Sequence, residues 1–245
     1  MNTNDQNNPL ILALETSGRL GSVAIAQGEQ LLGETEFSGP MRHSAEVFPA
    51  IVDLLNQFGK KPNQIEQVYI SIGPGSFTGL RIAVTIAKTM ALANNARIVA
   101  VDTLDVIAAN VICFTAENAE DELKQNERLG VILDAKRGQF FVAVYDRPTK
   151  GWEKIFPDSL LTDEEFLDRF AGCGKPIALL GEGLVYYKDK FNDPAVRFLD
   201  DKFWNPTAAN VYRLGWQLAK QDQFTDPLIL TPNYIRGPDA KVKQL

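Results

Sequence analysis

The chain has one histidine, two cysteines, three methionines and three tryptophans in 245 residues. The lone histidine, His43, excludes any site built on paired imidazoles. Cys113 and Cys173 are too few for a disulfide framework and have no CxxC spacing, so they read as buried free thiols rather than as redox or zinc-ribbon cysteines. Positive charge is short as well, with 25 Lys and Arg against 31 Asp and Glu and a net charge of -6. Phosphate backbones are gripped by clustered cations, so this chain by itself has no nucleic-acid grip. No apolar run approaches the roughly 18 residues that a membrane helix needs. The opening MNTNDQNNP lacks the basic start and apolar stretch of a signal peptide and reads as a frayed tail. No membrane association is expected, and the cytoplasm is the expected compartment. What remains is ordinary globular composition, 45% hydrophobic and 23% charged, on a chain long enough for one large domain or two smaller halves.

The stretch GPGSFTGLRI, residues 73–82, follows the β-branched run VYISI and precedes a long apolar segment at helical spacing. Gly73, Gly75 and Gly79 permit positive φ or close backbone approach, Pro74 fixes one φ, and Ser76 is a good helix cap. A phosphate loop would need Lys-Ser or Lys-Thr after its last glycine, where this chain has Leu80 and Arg81. The dinucleotide fingerprint fails too, because the third glycine comes one residue late. The residues therefore favour a tight strand-to-helix corner over an anion loop. Ser76 is not in a G-x-S-x-G context, and His43 would be its only base, so a serine hydrolase is disfavoured.

Along the chain, residues 10–17, GSVAIAQ and QLLGETEFS read as a strand meander. Helical spacing follows from Ser44 to Phe58, where Pro49 must sit in the first turns or kink the helix. A strand at 68–72, a helix from 77 to 93, a strand at 96–102 and a helix from Leu104 to about Phe114 come next. LGVILDA and QFFVAVYD, flanking KRG, read as a hairpin. Aligned without gaps so that Glu15 meets Asp134, Val23 to Ile25 meet Val142 to Val144, which points to a duplicated unit. Thr162 and Glu165 form a capping box, PIALLG is a strand, and Asn205-Pro206 opens a helix to about Lys220.

A duplicated meander-plus-helix unit with an acid ending the first strand of each half resembles the actin, Hsp70 and sugar-kinase superfamily: α/β, two-lobed, ribonuclease-H-like. The resemblance implies a first lobe at 1–108 and a smaller, degenerate second lobe at 109–245. In active members such acids hold hydrated metal near phosphates, the role Glu15 and Asp134 would take. The residues themselves favour two acids that merely end strands beside turns.

ILALETS (with Glu15, Thr16 and Ser17), GPGSFTGLRI (with Gly73, Pro74, Gly75, Ser76, Phe77, Thr78, Gly79 and Arg81), DAKRGQFF and LTPNYIR together resemble the TsaB (YeaZ) family over nearly the whole chain. That resemblance implies an accessory, non-catalytic subunit in tRNA threonylcarbamoyladenosine synthesis. Its partners would be a TsaD-like transferase and a TsaE-like ATPase, with a homodimer when alone and tRNA reached only through the complex. The transferase carries a metal-binding HxxxH pair, and the matching positions here hold Thr103 and Ile107. No catalytic residue, metal or cofactor is therefore expected. GEG at 181–183 resembles a remnant of an adenosine-binding turn and leaves room for weak nucleotide binding between the lobes. His43 resembles the HS start of the first helix in the family and reads as a helix-start residue.

The resemblance puts the pairing surface on two helices, with Val47, Ile51, Leu54 and Leu55 on one and Gly79, Leu80, Ala83, Ala87 and Met90 on the other. Gly79, Ala83, Ala87 and Ala91 form a small-residue ridge that suits a close helix contact. The same ridge equally suits packing on the chain's own sheet, with Thr78, Arg81, Thr85 and Lys88 left as the solvent stripe. Two other readings stay open: an independent ATP-dependent, kinase-like enzyme of the superfamily, and a metal-dependent hydrolase.

Overall fold

A computed structural model describes residues 8–40, 42–112, 123, 127–147, 151–172 and 174–236. The tail before residue 8, Cys113 and Cys173 lie outside the described residues, as does the expected end of the helix at Phe114.

The first half runs β1 (Leu10–Glu15), β2 (Ser22–Gln27), β3 (Gln30–Glu36), α1 (His43–Gln57), β4 (Gln67–Ser71), α2 (Phe77–Asn94), β5 (Arg97–Val101) and α3 (Thr103–Ala108). The second runs β6 (Arg128–Asp134), β7 (Gln139–Asp146), β8 (Glu153–Thr162), α4 (Asp163–Phe170), β9 (Ile177–Leu180), α5 (Leu184–Tyr187), β10 (Val196–Phe198) and α6 (Ala208–Lys220). The strand orders are β3-β2-β1-β4-β5 and, read from the other end, β8-β7-β6-β9-β10. In each sheet the first three strands pair antiparallel and the last two add in parallel. The duplication read from Glu15 and Asp134 is thus a duplication of topology.

The continuous apolar runs LILALE and QVYIS form central strands because both faces of their sheet are covered. On one face, Leu12, Leu14, Val23, Ile25, Val68 and Ile70 meet the inner sides of α1 and α2. On the other, Ile11, Ala13, Ala24, Tyr69 and Val99 meet Ala208, Val211 and Tyr212 of α6. Although α6 lies in the second half of the sequence, it covers the first sheet. The exchange is mutual, since Leu104, Ile107 and Ala108 of α3 join the core of the second sheet. By packing, the lobe frontier is therefore crossed by a helix in each direction.

Two local expectations change and one holds. The helix opened by Asn205-Pro206 begins at Ala208, where Thr207 is the cap and its hydroxyl accepts from Asn210 N–H at 3.2 Å. The capping box of Thr162 and Glu165 forms as expected, with both bonds present at 3.2 and 2.8 Å. Glu153–Thr162, to which the sequence reading assigns no element, is the edge strand β8; Pro157 is tolerated there because the register shifts between Val142 and Val144 of its neighbour. Pro49 lies inside α1.

Candidate functional site

The four motif segments meet where the two sheets adjoin. β1 ends at Glu15, and the turn that follows is pinned by the start of α2. Thr16 Oγ1 donates to Gly79 O at 2.7 Å, and Ser76 N–H donates to Ser17 O at 2.7 Å. A Cβ on Gly79 would sit 1.7 Å from Thr16 O, and one on Gly75, whose φ is +158°, would sit 2.5 Å from Ser17 O. These glycines let two backbones touch. Ser76 caps α2 by accepting from Gly79 N–H at 3.3 Å. GPGSFTG is thus the strand-to-helix corner that its residues favoured.

The C-terminal motif closes over this corner. Asn233 N–H donates to Ile72 O at 2.7 Å, the Tyr234 ring stacks on Phe77 at 4.4 Å, and the Arg81 guanidinium lies 4.0 Å from the Phe77 centroid. Arg81 Nε also donates to Tyr234 Oη at 3.2 Å. Two residues on, Arg236 donates to Ala135 O, to Lys136 O and to Gln139 Oε1, so LTPNYIR ties the α2 corner to the β6–β7 hairpin. Lys136, Arg137 and Gly138 turn that hairpin with φ of 64°, 59° and 72°.

His43 is buried at the first position of α1, and its Nε2 donates to Gly18 O at 2.9 Å. It anchors the helix start to the β1–β2 turn, as a structural histidine would.

The two strand-ending acids have different hydrogen-bond partners. Glu15 is fully buried, and its Oε1 accepts from Ser17 N–H at 2.6 Å, from the Ser17 hydroxyl and from Gly18 N–H at 3.3 Å. Burial pushes its carboxyl above the ordinary range, against the pull of those Ser17 and Gly18 hydrogen bonds. Asp134 is spent on its own hairpin, accepting from Lys136 N–H at 2.7 Å and Nζ at 2.6 Å.

The acid that reaches Glu15's turn from the second lobe is Glu182, which the sequence reading did not single out beyond its place in GEG. Its Oε1 and Oε2 accept from Arg19 N–H at 2.7 and 3.0 Å, and only 8% of the residue is exposed. Burial pushes its carboxyl up to about 7; the Arg19 N–H pulls it down and nearby Glu15 pushes it up further. A second tie between the halves centres on Lys154 of β8. Its Nζ lies 2.7 Å from Asp105 of α3 and 2.8 Å from Asp158, while Tyr145 Oη donates to Asp105 at 2.6 Å. Burial raises Asp158 to about 6, with Lys154 opposing.

Thr103 and Ile107, the positions of the expected HxxxH comparison, are both fully buried. Among the described residues, no three His, Cys, Asp or Glu side chains gather closely enough to share a metal ion. None of the described helices is long and apolar enough to cross a membrane.

The helix faces require a correction. Val47, Ile51, Leu54, Leu55, Leu80, Ala83 and Ala87 are each at most 3% exposed, and Gly79 lies against the β1 turn. They seal this chain's own core, because the small ridge of α2 lets the helix sit close on its sheet. Met90 alone of that set keeps partial exposure. Thr78, Arg81 and Thr85 are exposed and Lys88 half-buried, so they form the outer stripe. The apolar side chains that these two helices do show to solvent are Phe48 (58%), Val52 (46%) and Leu92 (88%).

A duplicated five-stranded unit with exchanged terminal helices defines a protein of the actin-like, ribonuclease-H-like class. The family model described as TsaD, tRNA N6-adenosine threonylcarbamoyltransferase, matches residues 40–223. A Bacillus subtilis protein, "tRNA threonylcarbamoyladenosine biosynthesis protein TsaB", is 30% identical, with 95% of this chain and 96% of that protein covered. The Escherichia coli protein of the same name is 24% identical, with 93% and 94% covered. The solved structure of YeaZ from Pseudomonas aeruginosa shares the fold with a TM-score of 0.75 at 21% identity, covering 92% of this chain and 99% of that one. The chain belongs to the TsaB family.

Proposed function

We propose that this chain works in tRNA threonylcarbamoyladenosine biosynthesis as a non-catalytic accessory subunit, docked to a TsaD-like transferase and helping to recruit a TsaE-like ATPase in the cytoplasm. The observation that carries the non-catalytic reading is Ile107. It sits in the apolar core at a position where the resemblance puts a transferase metal ligand, with buried Thr103 in place of the other. An aliphatic side chain supplies no donor atom to a metal.

Docking is supported by Phe48 and Val52, one helical turn apart on α1 and exposed, with Leu92 exposed near the end of α2. A family partner covering this face would leave the buried ridge untouched. Alone, the chain would pair with a second copy through the same face. With a net charge of -6, it would reach tRNA only through its partners. The test is reconstitution. The TsaD-like subunit, the TsaE-like subunit, ATP and tRNA should give modified tRNA only when this chain is added, and this chain alone should give none. Modified tRNA made by this chain alone would overturn the reading.

A further inference from the structure

Residues 15–19 hold two carboxylates on successive amides of one turn. Glu15, from the same lobe, takes the N–H groups of Ser17 and Gly18, and Glu182, from the other lobe, takes that of Arg19 with both oxygens. Consecutive backbone N–H groups turned to one side form an anion-binding concavity. Two neighbours show that the second carboxylate has a prepared seat. Gly18 has no side chain where a Cβ would stand 2.8 Å from Glu182 Oε1. Gly181, at φ +118°, brings the GEG turn so close to β6 that a Cβ there would meet Ile132 O at 2.3 Å, and Gly183 N–H donates to the same oxygen at 3.0 Å. The second lobe also clamps the Arg19 side chain. Its Nη1 donates to Tyr186 Oη at 2.5 Å, and its guanidinium lies 4.9 Å from the Tyr186 centroid.

We propose that the Glu182 carboxyl is a built-in occupant: it fills the acceptor seat of the β1–β2 turn from the opposite lobe and latches the two lobes together, so that a free carboxylate or phosphate can occupy that seat only when Glu182 is withdrawn. The seat is made by two consecutive amides, those of Arg19 and Leu20, backed by a guanidinium held beside them. It therefore suits a small oxyanion better than an extended ligand. Glu15, buried next to the seat, limits how much further negative charge it accepts.

The test is chemical rescue of Glu182→Ala. Thermal melting and the Arg19 amide resonance are followed in chloride, in acetate and in inorganic phosphate at equal ionic strength. The latch predicts that Glu182→Ala melts roughly 5 °C below the parent protein in chloride and recovers part of that loss in acetate or phosphate. Its Arg19 amide resonance should move on truncation and move back with added anion. The parent protein, with its seat filled, should show only the general stabilisation that such salts give any folded protein, less than the variant gains. Recovery in acetate but not in phosphate would mean a seat for a carboxylate alone, and recovery in both a seat for small oxyanions in general; either supports the latch. An Arg19 amide resonance unchanged in Glu182→Ala, or the same salt response in parent and variant, would overturn it. If Glu182→Ala does not fold, Gly18→Ala decides. Its methyl group presses on Oε1, and on the Pro206 ring, without removing the carboxylate; the latch predicts that the melting temperature of this variant recovers in acetate or phosphate beyond the parent's own response, and no such recovery would overturn the proposal.

Discussion

The two halves repeat one sheet topology but differ in what covers it and in what their strand-ending acids do. The first sheet carries α1 of 15 residues and α2 of 18 on its outer face; the corresponding places on the second hold α4 of 8 and α5 of 4. Glu15 is fully buried and organises a turn, whereas the Asp134 carboxylate accepts from Lys136, whose side chain is 78% exposed. The first half has kept the long helices that can present a surface. The second has contracted, and its contribution across the lobes comes from Glu182 and Lys154. One sheet topology thus carries two different sets of covering helices.

The sharpest way to break this comparison is a glycine in each half. Gly79→Ala would drive a methyl group into Thr16 O, and expected behaviour is loss of soluble protein or destabilisation of at least about 3 kcal/mol. Gly138→Ala, with nothing within 4 Å of the new Cβ and a φ of +72°, should cost only about 1 kcal/mol. Denaturant melts of the two variants make the comparison. Ala83→Glu belongs with the first, because a carboxylate in a fully buried methyl site costs several kcal/mol, on the order of 3 or more.

The acids give the next effect. Glu15→Ala strips the partner from two buried N–H groups and should cost about 2 kcal/mol, while Asp134→Ala should cost about 1 kcal/mol or less. Urea midpoints of the pair read this directly, and equal losses would erase the asymmetry.

A pH effect of comparable size accompanies the acids. The Glu182 carboxyl is raised to about 7 in the folded protein from 4.5, so the folded state holds this proton more tightly than the unfolded chain does. Its contribution is fully present below about 4.5 and is lost as pH rises through about 7, a swing on the order of 3 kcal/mol. The groups facing it are the Arg19 and Leu20 amides, the Arg19 guanidinium and the Glu15 carboxyl. Asp158, raised to about 6, moves in the same direction. Melting of the parent protein should therefore fall between pH 5 and pH 8 by more than that of Glu182→Gln, and identical slopes would remove Glu182 from the account.

Much of this was legible in the sequence for a physical reason: central strands covered on both faces are continuous apolar runs, and LILALE, QVYIS and RLGVILD are such runs. Edge strands are not, so β8, half-buried and interrupted by Pro157, went unread. The sidedness of α2 was also unreadable. Its sheet-facing ridge of small residues and its half-buried Ile82 and Met90 make it apolar over more than one stripe, and either stripe could have faced a partner. Glu182 escaped because its partner amide is 163 residues away. The signal that would have found it was there in the two glycines flanking an acid, a pattern that lets a carboxylate be pushed forward on a tight turn.

The central claim is that the first half docks through its outer helices while the protein does no chemistry of its own. Phe48→Asp tests it most directly, because residue 48 is 58% exposed and its replacement should change stability by no more than about 0.5 kcal/mol. Size-exclusion chromatography of this variant with the TsaD-like subunit, followed by the tRNA-modification reaction on the same samples, is the measurement. The account predicts a native melting profile, no co-elution, and no modified tRNA from the mixture that the parent protein activates. Retained co-elution, or modification by this chain without the transferase, would contradict it.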